Sequence, residues 1–225
     1  TIKATAARHS NVTATKVIKV KAGAKIYLSP ENKNKSYDHP DFKFYGYERD
    51  QMILLTNEVS TYLSNLGYDV IVGFNAEPSI NNNYAEERRE ESNEMYNSNP
   101  NGTNLHVCIH SNAGSPGIQT IFGPEIYYQN ESNKNHFASK NFAQSVYNKL
   151  FALYQESFPE TQKRQGNGLI EDGKKGYIEL QTKATAIYVE TAFHDNLEDA
   201  HWIVDNRVDI AKAIGDGIIE YLNSL

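Results

Sequence analysis

The chain has 225 residues, of which 39% are hydrophobic and 22% are charged, so it is long enough to bury one sizeable core. Its formal net charge of −6 argues against nucleic acid as a partner, because phosphate backbones are bound by clustered Lys and Arg. No apolar run reaches the roughly 18 residues of a membrane helix, and a single cysteine excludes an internal disulfide. No signal peptide is expected within these 225 residues, so an exported protein would have had its signal removed or would use another route.

The first part of the sequence predicts a lead-in followed by a β-α-β unit. Residues 1–24 are small, polar and basic without firm periodicity, and they are interpreted as a lead-in or linker. The short strand 25–28 leads into a polar, aromatic loop, and a helix then begins at Glu48, with apolar residues every three or four positions. Residues 68–73 form a second strand, which makes the first two strands a parallel pair.

The central strand is the most informative stretch of the chain. Leu105, Val107 and Ile109 alternate with other residues in a run that ends at His110, and Ser-Asn-Ala-Gly follows at once. This pattern is typical of a strand that passes through the interior and places an imidazole at the rim of a sheet. The simpler interpretation of His110 is a strand-end histidine with a satisfied hydrogen bond.

The remaining elements complete an α/β fold. Further helices are predicted at 84–96, 137–155, 198–204 and 208–222, and further strands at 125–128 and 184–190. Residues 157–175 are predicted to form a long polar loop. Because no internal repeat or break in composition is visible, residues 25–225 are expected to form a single domain with a mainly parallel, twisted sheet of about five to six strands flanked by helices.

Three potential ligands or catalysts share one edge of this predicted sheet. His110 ends the central strand, Glu190 ends the last strand, and Glu48 opens the helix after the first strand. In a mainly parallel sheet, the C-terminal ends of strands lie on the same rim as the N-termini of the helices that follow. One imidazole and two carboxylates there suit a zinc hydrolase, in which the metal keeps an open position for water and a carboxylate relays its proton. The alternative is a merely polar sheet rim.

Two further side chains lie deeper on the His110 side of the central strand. They belong to His106 and Cys108, and both are interpreted as packing rather than chemistry. A packed thiol is the expected state of Cys108 because the residue lies inside an apolar strand.

Two segments carry a resemblance to a known family. Residues 104–113 read Asn-Leu-His-Val-Cys-Ile-His-Ser-Asn-Ala, and residues 188–200 read Tyr-Val-Glu-Thr-Ala-Phe-His-Asp-Asn-Leu-Glu-Asp-Ala. They resemble the zinc-histidine strand and the catalytic-glutamate segment of the zinc-dependent N-acetylmuramoyl-L-alanine amidases of the amidase 3 type. This family includes autolysins, sporulation enzymes and phage endolysins. The similarity covers roughly residues 25–223, in the family's order.

The resemblance implies roles for particular residues. His110 and Glu48 match two zinc ligands of the family, and Glu190 matches its catalytic base. The third ligand departs from the pattern, because the family's first zinc histidine follows the opening strand, whereas Ser-Pro-Glu is followed here by Asn32.

Three residues are candidates for the missing zinc ligand. His194 lies four residues after Glu190 and is favoured, because a short loop after a strand positions a ligand better than a long loop does. His39 lies in the long loop after the first strand, and Asn32 offers only an amide oxygen, a poor zinc ligand beside imidazole. The simpler interpretations are that His194 caps the helix that follows and that His39 is solvated.

The resemblance implies a peptidoglycan hydrolase. It would use a zinc-activated water to cleave the amide bond between N-acetylmuramic acid and the L-alanine of the stem peptide. The expected form is a monomer that acts outside the cell, at the bacterial cell wall. Two alternatives are a metal-free pseudoenzyme that binds peptidoglycan and a zinc peptidase that cuts the stem peptide. Autolysin, spore enzyme and phage lysin are not distinguished by the sequence.

Overall fold

The computed structural model of the protein describes residues 2–6, 9–16, 23–32, 47–73, 84–114, 122–159, 168–173 and 176–225. Its strands are β1 (Ile2–Ala6), β2 (His9–Lys16), β3 (Lys25–Pro30), β4 (Asp69–Val72), β5 (Asn104–Asn112), β6 (Glu125–Tyr128), β7 (Leu169–Glu171) and β8 (Thr185–Phe193). Its helices are α1 (Glu48–Asn65), α2 (Tyr84–Ser98), α3 (His136–Ser157), α4 (Leu197–Asp205) and α5 (Arg207–Ser224), with a 3₁₀ turn at Ile178–Gln181.

A six-stranded sheet in the order β4-β3-β5-β8-β6-β7 forms the centre of the molecule. Strands β4, β3, β5 and β8 are mutually parallel, whereas β6 runs antiparallel to β8 and parallel to β7. The predicted α/β fold with a mainly parallel sheet of about six strands is therefore confirmed, with the refinement that the sheet is mixed.

The two faces of the sheet are chemically different. On one face the apolar residues of β5 pack in a single core with helices α1, α3, α4 and α5. The opposite face is covered by α2 and the 3₁₀ turn, and it carries His106, Cys108 and His110. This separation follows from the strand period of two, which sends alternate side chains to opposite faces. The polar face of β5 is nevertheless buried along its whole length.

Helix α1 begins at Glu48, as the sequence predicts, and its inner stripe fixes the direction in which the first turn points. Four residues of that stripe are fully buried: Met52, Leu55, Val59 and Leu63. The helix ends before Gly67, which has the positive φ of 87° that glycine adopts readily. Since Glu48 lies one turn before Met52, the packed stripe aims its carboxylate inward, where it is fully buried.

Strand β3 is longer than predicted and includes Pro30. Its pairing with β4 ends at Leu28, whereas its pairing with β5 continues to Pro30. Proline lacks an N–H, so it is tolerated here because no ladder bond to β4 is needed beyond Leu28. The backbone N–H of Glu31 then donates to the Ile109 carbonyl over 3.0 Å, so the chain stays beside β5 for one more residue.

Two short regions of strand are absent from the predicted elements. Strand β7 lies within residues 157–175, which were predicted to be loop, because three residues at the edge of a sheet are too few to show periodicity. Strands β1 and β2 pair antiparallel within the predicted lead-in 1–24. The domain boundary at residue 25 stays a prediction.

None of the helices in the described part of the chain is long and apolar enough to cross a membrane.

Asp199 ties the end of β8 to its surroundings. Its Oδ2 accepts hydrogen bonds from the backbone N–H groups of Phe193 (2.9 Å) and Gly123 (2.8 Å), and its Oδ1 accepts from the Tyr154 hydroxyl. Burial raises the pKa of this carboxyl group to about 6, although the same hydrogen bonds oppose the shift. Asp199 therefore fixes the end of β8, just after Glu190, but its hydrogen bonds do not fully offset the cost of burying its negative charge.

The wild-type protein should become less stable as the pH rises, because Asp199 ionises in a buried position. We expect Asp199→Asn to abolish this pH dependence. A carboxyl pKa raised on folding stabilises the folded state below its unfolded value and loses that contribution as the pH rises through about 6. The amide oxygen keeps both backbone bonds, and its NH₂ donates to Tyr154. Between pH 4 and pH 7 the variant should gain about 2 kcal/mol relative to wild type in urea unfolding. A pH-independent difference between the two proteins would contradict this.

Candidate metal centre

Three buried side chains meet at the rim of the sheet. They belong to Glu31, Glu48 and His110, whose potential ligand atoms all lie within 4.8 Å of one another. Each residue is at most 1% exposed. One imidazole nitrogen and two carboxylate oxygens in such a small volume form a strong candidate for a cation site.

Each of the three candidate ligands comes from a different element. Glu31 directly follows β3 and lies on the same side as Ser29, because residues two apart share a face. His110 lies near the end of the neighbouring strand β5, and Glu48 is the first residue of α1. The backbone N–H of Ser111 donates to Glu48 Oε1 over 3.0 Å, which holds that carboxylate against the end of β5.

His110 is flanked by acceptors at both ring nitrogens. Its Nδ1 lies 3.1 Å from Glu31 Oε2 and 2.8 Å from the Tyr188 hydroxyl, and its Nε2 lies 3.9 Å from Glu179 Oε2. The Tyr188 ring also stacks on the imidazole, with centroids 4.1 Å apart. Burial alone would lower the pKa of His110, but Glu31 and Glu179 outweigh burial and raise the pKa to about 10. Without a cation, a proton on His110 balances part of the carboxylate charge.

Glu190 lies on the strand beside His110. The two residues are opposite each other in the parallel register of β5 and β8, so both side chains leave the same face of the sheet. Glu190 is 6% exposed and is therefore less deeply buried than Glu31 or Glu48. The predicted residues His110, Glu48 and Glu190 are thus brought to one rim, as the topology argument requires.

His194 lies next to this group but outside the set of three. Its Nδ1 is 2.9 Å from Ser111 Oγ, and its backbone N–H donates to the Asn112 carbonyl over 2.8 Å. Ser111 thus contacts both His194 and Glu48. Asn196, rather than His194, caps α4, because its side chain accepts from two N–H groups of the first turn.

The other two candidates for the third ligand have different outcomes. Asn32 is buried, and its backbone N–H donates to Glu31 Oε1 over 2.6 Å, so it orients Glu31. His39 lies outside the described residues. Glu31 itself was missed, although its position directly after the opening strand is the same signal that identifies His110.

Two more residues near the centre were also missed. Tyr84, the first described residue of α2, hydrogen-bonds to Glu31, and its burial raises its pKa. Glu179 lies in the 3₁₀ turn and faces His110. Neither position carries a periodic or motif signal in the sequence, because both reach the centre from elements that cross the opposite face of the sheet.

The donor set fits zinc. Two carboxylate oxygens and one imidazole nitrogen are ligand types that zinc accepts, and three protein ligands leave a position open for water. Two buried carboxylates facing each other across 4.8 Å or less repel unless a cation or a proton lies between them. An α/β sheet with such a group at its strand ends would suit a metal-dependent hydrolase.

The comparison with known families identifies the chain. Residues 40–220 match Amidase_3, the family of N-acetylmuramoyl-L-alanine amidases. The chain therefore belongs to this family, and the resemblance found in residues 104–113 and 188–200 is confirmed. Membership supports amidase activity on peptidoglycan. No curated protein is significantly similar to the chain in sequence.

Solved structures agree on the fold. The N-acetylmuramyl-L-alanine amidase Ami1 from Mycobacterium smegmatis superposes with a TM-score of 0.69 at 21% identity, over 91% of this chain and 99% of that chain. The amidase AmiC2 of Nostoc punctiforme gives 0.67 at 20% identity, over 90% and 99%. The catalytic domain of the CD27L endolysin targeting Clostridia difficile gives 0.62 at 20% identity, over 87% and 97%.

We expect Ser111→Ala to cost about 1 to 2 kcal/mol of unfolding free energy, because it removes a buried hydrogen bond to His194. The backbone bond from residue 111 to Glu48 is kept. Ser145→Ala is the matched control, since its hydroxyl bond is exposed and its loss should change stability by less than about 0.5 kcal/mol. Equal unfolding free energies of the two variants in urea would argue against the Ser111–His194 contact.

Proposed function

We propose that the protein is a zinc-dependent N-acetylmuramoyl-L-alanine amidase whose metal is held by Glu31, Glu48 and His110. The observation that carries this proposal is the buried approach of their ligand atoms to within 4.8 Å at the rim that also holds Glu190. Family membership supports the reaction, and the donor set supports the metal.

Glu31 replaces the expected histidine as the third ligand in this proposal. It lies in the slot after the opening strand, and its Oε2 is already directed at the His110 ring. His194 lies outside this set of three, and its Nδ1 contacts the Ser111 hydroxyl at 2.9 Å. The proximity of Glu31 to both other ligands therefore favours Glu31 over the sequence-based choice of His194.

Zinc in this position would lower the pKa of a coordinated water and polarise the scissile carbonyl. Glu190 is proposed to accept the proton of the attacking water and to return it to the amine that leaves. Its position opposite His110 and its slightly greater exposure suit a carboxylate that meets substrate rather than one that is fully enclosed.

The surroundings of His110 position the ring. Tyr188 stacks on the imidazole with centroids 4.1 Å apart, while Glu179 faces Nε2 and is itself anchored by the Ser29 hydroxyl at 2.9 Å. A carboxylate near the second nitrogen of a histidine ligand fixes its orientation and raises its basicity. We assign Tyr188 and Glu179 this positioning role.

The proposed substrate is the amide bond between N-acetylmuramic acid and the L-alanine of the stem peptide. Peptidoglycan lies outside the membrane, so the proposed place of action is extracellular, at the bacterial cell wall. A monomer stays a prediction.

Zinc content should separate the two candidates for the third ligand. We expect Glu31→Gln, Glu48→Gln and His110→Ala each to lose one zinc per chain relative to wild type, with an affinity decrease of more than about 100-fold, since even partners of ligands are worth roughly 10 to 100-fold. His194→Ala should keep the wild-type zinc content in elemental analysis after dialysis. Loss of zinc from His194→Ala, with retention in Glu31→Gln, would instead make His194 the ligand.

Glu190→Gln should separate catalysis from metal binding. We expect it to retain zinc and to release stem peptides from purified cell walls about 10² to 10⁴ times more slowly, because a positioned general base contributes about that factor. Glu198→Gln, which is exposed on α4, is the matched control and should keep the wild-type rate. The products should be whole stem peptides with free L-alanine amino groups and intact glycan strands. Cleavage inside the peptide would show a peptidase, and no cleavage by wild-type, zinc-loaded protein would leave a binding module.

A further inference from the structure

A second group of metal-ligand side chains lies deeper on the same face of β5. It consists of His106, Cys108 and Glu179, whose potential ligand atoms lie within 4.8 Å of one another. His106 and Cys108 are fully buried, and Glu179 is 2% exposed. None of the three is a ligand in the proposed amidase centre.

The spacing of the first two atoms suits a shared metal ion. His106 and Cys108 are two residues apart on β5, so they leave the same face, and Cys108 Sγ lies 3.5 Å from His106 Nε2. Zinc binds thiolate sulfur at about 2.3 Å and imidazole nitrogen at about 2.0 to 2.1 Å, and a tetrahedral angle between those bonds separates the two atoms by roughly 3.5 Å. The observed distance therefore needs little adjustment.

Glu179 supplies the third atom and the strongest indication of a ligand. Ser29 donates to its Oε1, whereas its Oε2 makes no well-formed hydrogen bond among the described residues. Burial acts to raise the pKa of this carboxyl group, but the nearby His110 and Cys108 nevertheless lower it. His110 Nε2 lies 3.9 Å from Oε2, which is too far for a hydrogen bond. A carboxylate oxygen buried without a hydrogen bond is unfavourable unless an ion satisfies it.

We propose that His106, Cys108 and Glu179 bind a second divalent ion of the zinc type. The thiolate excludes Ca²⁺ and Mg²⁺, which prefer oxygen ligands, and the imidazole and carboxylate complete a set that zinc accepts. Cys108 loses its thiol proton to solvent when the ion binds. Since the site is buried, the ion enters as the chain folds.

The proposed ion joins β5 to the 3₁₀ turn that carries Glu179. That turn covers the face of the sheet opposite the main core, and its glutamate faces His110. The second ion would therefore fix the carboxylate that orients a ligand of the amidase centre. The competing interpretation is a metal-free thiol–imidazole contact beside a glutamate that serves His110 alone.

Cobalt provides a test that does not depend on amidase activity. Co²⁺ replaces zinc in such sites, and a cobalt–thiolate bond gives a charge-transfer band in the near ultraviolet. Cys108 is the only cysteine of the chain, so a band in the folded protein reports this site alone. We expect the full chain refolded with Co²⁺ to show the band and to contain two cobalt ions.

Single substitutions should remove metal from one site and leave the other site occupied. Cys108→Ser and Cys108→Ala should lose the band and one cobalt ion, with far-ultraviolet circular dichroism unchanged. Glu48→Gln should keep the band and lose the other ion. His106→Gln should weaken cobalt binding at the thiolate site by more than about 100-fold, as expected for loss of a ligand.

Two outcomes would overturn the proposal. One is a folded wild-type chain that shows no thiolate band with cobalt in excess. The other is a band that keeps its wild-type cobalt affinity in both His106→Gln and Glu179→Gln, because the thiolate would then bind cobalt without the other two residues.

Discussion

The burial of several carboxylates around one imidazole is the constraint on which the rest of this structure depends. Glu31, Glu48 and Glu179 are each at most 2% exposed, and each lies next to His110 or to the end of its strand. Charges buried in this way are tolerated only when other groups compensate them. Here the compensation comes from the His110 ring, from backbone N–H groups and, in the proposed function, from a metal ion.

The β5 strand makes this concentration of charge possible because one of its faces packs in the apolar core and the other carries the polar side chains. One face consists of Leu105, Val107 and Ile109, which pack in the main core. That packing holds the strand rigidly, so the residues of the other face are positioned by the register with β3 and β8 rather than by loops. A rigid strand is a better support for ligands than a loop is.

In the proposed centre, the third ligand keeps the place that it has in the family while its chemistry changes. The opening strand of the chain lacks the histidine expected after it, but the hydrogen bond from Glu31 to Ile109 keeps the chain beside β5 for one more residue. A carboxylate in that slot then reaches the His110 ring. A ligand set with two carboxylates carries more negative charge than one with two imidazoles, so it neutralises a divalent ion more completely.

The sequence by itself determined the helices, the central strands of the sheet and the rim at which they end. Periodicity over a few residues identified β5, β8, α1, α3 and α5, and strand ends and a helix start brought His110, Glu190 and Glu48 to one edge. Strand β6 was predicted with its correct bounds. The family was recognised from two short segments. Local patterns suffice for these conclusions because they depend on residues close together in the chain.

The tertiary structure alone decided which side chains meet. Tyr84 and Glu179 have no local pattern that marks them, since each reaches the centre from an element that crosses the sheet. The position of Glu31 after the opening strand is a local signal, but its contact with His110 is set by the register of β3 with β5. The placement of His194 beside Ser111, outside the set of three, also depends on how the end of β8 packs beside the end of β5. Glu31 contacts His110 across 79 positions of the chain, and Ser29 contacts Glu179 across 150. Such contacts are set by tertiary packing and cannot be predicted from a short stretch of sequence.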